Sequence, residues 1–166
     1  MTISIDERKE RARTFRIKSD MSFFSAQIEM EKELYRGVCN RAWYAVMQIV
    51  TAATYEDMTD EPGQDRANWS HERQSIMFRN FVKKHKVWDK HKALATEIDI
   101  MRERRNDADY IAPTERYFSR SDAAKSLEIA GKVRNVVFEL IGDRWDAHGQ
   151  LGLADVGLVE QQEGPL

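Results

Sequence analysis

The chain has 166 residues, 42% hydrophobic and 33% charged, with 26 basic and 28 acidic side chains and a formal charge of -2, the balance of one folded domain. Its longest apolar runs, such as residues 42–47 and 136–138, fall far short of the roughly 20 residues a membrane helix needs, and the early charges Asp6 and Glu7 argue against a secretory leader, so the expected address is cytoplasmic. The single cysteine, Cys39, excludes an internal disulfide or a thiolate zinc cluster and is expected as a small core residue.

Few glycines and prolines interrupt stretches rich in Ala, Leu, Glu, Lys, Arg and Met at helical spacing, so the expected fold is all α, a bundle of four to five helices. A first helix is expected over residues 6–32, with Ile17, Met21, Phe24 and Ile28 forming its inward stripe. A second, over 34–56, carries Leu34, Val38, Ala42, Ala45, Ile49 and Ala52 on one side, widened by Val46 and Val50, and is read as the central helix. Residues 56–68 contain Pro62-Gly63 among polar residues and are expected to form a mobile loop. Ser70 is expected to cap a third helix, with Glu72 in its first turn and Ile76, Met77, Phe81 and Val82 inside. A fourth spans about 88–108, through Leu94, Ile98 and Met101, and ends in Arg102-Glu103-Arg104-Arg105-Asn106-Asp107. Pro113 stops it. Ser121-Asp122 opens a fifth helix that continues through Ala124, Leu127, Ala130, Val133, Val137, Leu140 and Ile141 to about Arg144. The bundle thus occupies residues 6–145, and 146–166, rich in glycine and without Lys or Arg, is expected to be a flexible or partner-docked tail.

The chemistry the residues allow is narrower than the fold. No Glu-x-x-His pair or His-x-x-x-His spacing marks a metal site, and no glycine-rich nucleotide loop or Gly-x-Ser-x-Gly elbow is present, so neither a metal nor a cofactor is expected. Six basic side chains, Arg79, Lys83, Lys84, Lys86, Lys90 and Lys92, stand against one acid, Asp89, between residues 79 and 92. They form either a phosphate-binding patch, with Phe81 and Trp88 near enough to stack on bases, or a solvated lysine-rich surface over core aromatics. Arg104-Arg105-Asn106-Asp107-Ala108-Asp109-Tyr110 is a dense polar cluster in which arginine's planar fork suits phosphate or, equally, pairs with Asp107 or Asp109 as an interhelical clamp. Arg41 interrupts an apolar face beside Tyr44 and needs a carboxylate or a bound anion, for which Asp109 is the first expectation.

In this order these blocks resemble the HEPN family, the helical domains named for their occurrence in higher eukaryotes and prokaryotes. The resemblance runs from about Lys9 to Arg144: Lys9-Glu10-Arg11-Ala12, Leu34-Tyr35, Arg41-Ala42-Trp43-Tyr44-Ala45, Ser70-His71, Phe81-Val82, and Arg105-Asn106-Asp107-Ala108-Asp109-Tyr110. The last block is similar to the Arg-x-x-Ala-Asp-Tyr signature of one branch. The resemblance implies a bundle, commonly a homodimer, whose fourth helices meet by their polar ends. Many members are metal-independent endoribonucleases of toxin–antitoxin, CRISPR or phage-defence systems, often encoded beside a nucleotidyltransferase. Those enzymes pair an arginine with a histidine a few residues further on; Arg105 matches the arginine, and Tyr110 stands at the histidine position.

Metal-free RNA cleavage needs a base, an acid and a cation. The expected composite site is Arg105, Asn106, Asp109 and Tyr110, with Arg41, Arg104, Lys83, Lys84 and Lys86 on the RNA or phosphate and His71 as a further candidate. Tyr110 is a poor base but a competent proton donor. Asp109 is a base only if it is not paired with Arg41. The other reading is a non-catalytic module that binds a nucleotide or a partner, such as a nucleotidyltransferase or an antitoxin.

Overall fold

The structure, a computed structural model, describes residues 3–61 and 69–146. Its elements are five α-helices: α1 Ile5–Glu31, α2 Tyr35–Asp57, α3 Gln74–Lys84, α4 Trp88–Tyr110 and α5 Arg120–Asp146, with a 3-10 turn at His71–Arg73 before α3. No strand occurs among the described residues. No helix there is long and apolar enough to cross a membrane. The expected tail falls outside the described residues except for Asp146, which ends α5, and so does most of the expected loop, whose first positions belong to α2.

α1 and α2 form an antiparallel hairpin, read directly from their cross-contacts. Arg11 donates to the Tyr55 hydroxyl, Ser22 to Gln48, and Glu29 pairs with Arg41, so partners descend along α2 as they ascend along α1. The turn between them is sharp because Glu33 takes a left-handed conformation (φ 59°). Leu34 N–H then reaches the Glu29 carbonyl and Glu33 N–H the Met30 carbonyl, satisfying the last carbonyls of α1. α3 ends the same way, with Lys86 at φ 59° and Val87 bonded back to Val82. Short connections of this kind make sequential helices antiparallel neighbours.

α2 is the central helix, as its pattern indicates. Val38, Ala42, Ala45, Val46, Ile49, Val50 and Ala52 are all buried with Trp43 and Tyr55, and α1, α3, α4 and α5 each pack against it. Leu34 is the exception, exposed in the turn ahead of the helix.

The expected inward stripe of α1 is corrected. Met21 and Phe24 are 47% and 41% exposed, while the buried positions are Arg8, Ala12, Ser19 and Ala26. Ala12, Ser19 and Ala26 recur every seven residues, the spacing of a helix–helix seam, and their small side chains let α1 approach α2 closely. Phe15, Phe23 and Met30 flank that seam, partly buried. Size misled the reading, because the largest side chains of α1 do not all lie on its contact face. Met21→Ala and Phe24→Ala are therefore each expected to change unfolding free energy by less than about 0.5 kcal/mol, as surface substitutions do. A denaturation midpoint shift of the size typical for core truncation would contradict this placement.

Helix starts are corrected in the same way. Ser70 makes no side-chain cap, and the 3-10 turn intervenes before α3. On α3 Ile76 is 39% exposed, and Phe78 is the buried residue that the stripe missed. α5 begins at Arg120 behind Ser119, whose hydroxyl accepts from Asp122 N–H while the Asp122 carboxylate accepts from Ser119 N–H, a reciprocal capping box. Ala124 is exposed, and Ala123, Ser126, Ile129, Ala130, Val133, Val136, Val137 and Ile141 face the core. Ser4 caps α1 by accepting from Glu7 N–H. Cys39 is buried as expected, beside Ser126, and burial pushes its thiol up in pKa, which removes thiolate character at neutral pH.

Candidate functional site

Arg105 lies on α4 one turn beyond Met101, where the inward face of the helix passes from apolar core to polar end. Its side chain is only 10% exposed, and the guanidinium is held from several directions. One Nη donates to the Tyr44 hydroxyl at 3.0 Å and meets Asp109 at 2.6 Å; the other donates to Asn106 at 3.2 Å. The rings of Tyr44 and Tyr110 lie 5.5 and 5.6 Å from its central carbon. Burial acts against the charge, but the hydrogen bond Arg105 donates to Tyr44 and the field of Asp109 outweigh it, so Arg105 remains a cation.

The expected pairing of Arg41 with Asp109 is corrected. Asp109 is bound by Arg105 and by the Asn40 amide, whereas Arg41 sits half exposed, 3.5 Å from Glu29. Helical rotation explains this, because Asn40 rather than Arg41 is on the side of α2 turned to α4. Asp109, with Arg36, Asn40, Arg41 and Glu29, lines a separate shallow cleft of about 410 Å³.

On the other side of Arg105 opens a cleft of about 420 Å³ lined by Arg102, Arg105, Asn106 and Tyr110 of α4, Tyr44 of α2, and His71 and Glu72 of the 3-10 turn. His71, distant in sequence, thus joins the block. Trp43 N–H donates to its Nδ1 at 3.3 Å, and its ring meets Tyr44 edge-on at 6.0 Å. An indole nitrogen only donates, so Nδ1 must be the acceptor, and in the neutral ring Nε2 then carries the proton. Burial lowers the His71 pKa, and Arg105 lowers it further. His71 is therefore a neutral donor at neutral pH and a poor base. Glu72, a carboxylate that sequence reasoning placed only in a helix first turn, is exposed at the edge of this cleft. No spacing rule would have found it, since the turn and α4 meet only through tertiary packing.

The remaining expected phosphate ligands lie elsewhere. Arg104 turns away towards α5, donating to Ser126 at 2.7 Å and lying 4.0 Å from Asp122. Lys84 donates to the Asp57 carbonyl at 2.6 Å, Lys83 sits 5.5 Å from the Trp88 ring centre, and Lys86 occupies the tight turn after α3. None of these four lines the Arg105 cleft. Phe81 is fully buried in the core and Trp88 partly so. Arg36, overlooked in the sequence, donates to the carbonyls of Ala108 and Ile111 at 2.7 and 2.9 Å, placing a cation where the end of α4 is negative. Among the described residues no group of three or more His, Cys, Asp or Glu side chains could hold a metal ion. No family model, curated protein or solved structure matches the chain.

Proposed function

We propose that the chain is a HEPN-like protein that acts on RNA as a metal-independent endoribonuclease, with the Arg105 cleft as its active site. The observation that carries this reading is the gathering, in one cleft, of two arginines, a carboxylate, a neutral imidazole and two phenols. Glu72 is the group suited to take the 2′-hydroxyl proton, and Arg105 with Arg102 to stabilise the charged phosphorane. Tyr110, 77% exposed at the end of α4, is suited to protonate the leaving oxygen, and the Nε2–H of neutral His71 to donate a hydrogen bond to it. Asn106 offers its amide N–H groups to a phosphate oxygen, since its carbonyl already accepts from Arg105. A role as a toxin or defence effector, a homodimer joined through the ends of α4, and an antitoxin or nucleotidyltransferase partner belong to the same proposal and rest on the resemblance alone.

The test is cleavage of total cellular RNA and transfer RNA in the presence of a chelator, by wild type, Glu72→Gln and Tyr110→Phe. Both variants alter cleft-edge groups and should fold normally. Each is expected to lower the rate about 100-fold or more, the scale of a lost general base or acid. Cleavage unchanged in both variants would remove the cleft from catalysis.

A second reading, a non-catalytic module that binds a nucleotide or a partner, is favoured by the contacts that Arg105 spends on Tyr44 and Asp109. RNA bound but never cut would select it.

A further inference from the structure

The Arg105 cleft does not end at Arg102. That residue and Glu72 also line a larger groove of about 910 Å³ between α3 and α4, which reaches Arg79 on one wall and Trp88 and Lys92 on the other. Two members of the basic run thus face the same depression as the candidate active site, while Lys83, Lys84 and Lys86 do not line it.

Three features distinguish this groove from an ordinary charged surface. First, Arg79, Lys92 and Arg102 enter none of the ion pairs among the described residues. They remain unpaired although Glu72, Asp99 and Glu103 line the same groove. Second, the Arg102 Nε has no hydrogen-bond partner among the described residues where the two depressions join, so that nitrogen is not committed to a contact within the fold. Third, Trp88 contributes an aromatic ring at the far end of the groove, beyond Lys92 on α4, and aromatic side chains beside a cationic groove are the arrangement on which unpaired bases stack.

We infer that the α3–α4 groove is an extended subsite for single-stranded RNA, in which Arg79 and Lys92, on opposite walls, take phosphates leading away from the Arg105 cleft, Arg102 stands at the junction of cleft and groove, and Trp88 stacks a base at the far end. This inference rests on the proposed reading of the Arg105 cleft and specifies its substrate as a strand rather than a mononucleotide. Duplex RNA is disfavoured, because its paired bases present no free face to Trp88. The three carboxylates repel a polyanion and keep the affinity moderate, so recognition depends on the strand reaching all three cations.

The test is anisotropy titration with 2′-O-methyl RNA, which lacks the cleavable hydroxyl, as a dinucleotide and as a strand of about eight nucleotides. Wild type is compared with the double variant Arg79→Ala/Lys92→Ala, which changes two exposed side chains and should leave the fold intact. The longer strand is expected to bind wild type at least about tenfold more tightly than the dinucleotide. The double variant should lose most of that difference, leave dinucleotide binding unchanged, and reduce the slope of log affinity against log salt by about 1.4, for two lost phosphate contacts. Equal binding of both lengths, or a double variant indistinguishable from wild type, would overturn the subsite while leaving the Arg105 cleft standing. Equal affinity for single-stranded DNA of the same length would overturn RNA as the substrate class. Absence of binding by either RNA would overturn the cleft reading and the subsite with it.

Discussion

Arg105→Ala is expected to abolish RNA cleavage and to lower the melting temperature as well. Removing a positioned cation from the developing phosphorane costs about 100-fold or more in rate. The same substitution takes the guanidinium from Tyr44 and leaves Asp109 with the Asn40 amide alone. Breaking a fully buried ion pair costs about 3–5 kcal/mol, but Asp109 is 23% exposed and can recover water, so about 2–3 kcal/mol is the expectation here. For a domain of this size that is a fall of about 8 °C in melting temperature. Calorimetry beside the cleavage assay checks both parts. An unchanged melting temperature would mean that the contacts to Tyr44 and Asp109 do not hold the helices, and Arg105 would then be free for substrate alone. Because Arg105 serves both purposes, the cleft-edge variants Glu72→Gln and Tyr110→Phe are the cleaner probes of catalysis.

Asp57→Ala is expected to be the most destabilising substitution away from the cleft, at about 3 kcal/mol. Asp57 is the last residue of α2, where the helix dipole disfavours a carboxylate, and α2 has no basic residue in its own last turn. The cations come from two other helix ends. His85 Nε2 lies 2.5 Å away and Arg144 donates at 2.6 Å, while Lys84 bonds the Asp57 carbonyl. The carboxylate is 1% exposed, so it ties together the C-terminal ends of α2, α3 and α5. Trp145 reinforces that junction by donating to Glu56 at 3.3 Å.

The pH dependence of this cluster has a definite sign. Burial raises the Asp57 pKa, but the bonds from His85 and Arg144 and the charge of Lys84 lower it by more, so the net shift is downward. A carboxylate with a lowered folded pKa contributes stability above its unfolded value near 4 and loses it as the pH falls through the lower folded value. Urea midpoints of wild type and Asp57→Asn are therefore expected to differ at pH 6 and to converge as the pH is lowered below about 4. A gap between the two proteins that stayed constant down to pH 2 would show that the ionised form of Asp57 contributes nothing.

The sequence by itself determined the helical class, the central place of α2 and the inward face of α4. In these elements the apolar residues are numerous enough, or regular enough, that only one rotation buries them. Leu94, Ile98 and Met101 illustrate this, because one turn further on the same face delivers Arg105. The same pattern failed on α1, where Ala12, Ser19 and Ala26 form the seam and Met21 and Phe24 point outward. Close packing there depends on the shape of the partner helix, which no single-helix periodicity contains. The Arg105–Asn106–Tyr110 block was legible as a candidate site because three of its members lie within six residues on one helix. Its completion by Tyr44, His71 and Glu72, the commitment of Asp109 to Arg105 and Asn40 instead of Arg41, and the division of the basic run between groove and surface were decided only by tertiary structure. Each depends on the rotation of one helix against another, which is set by the packing of all five together.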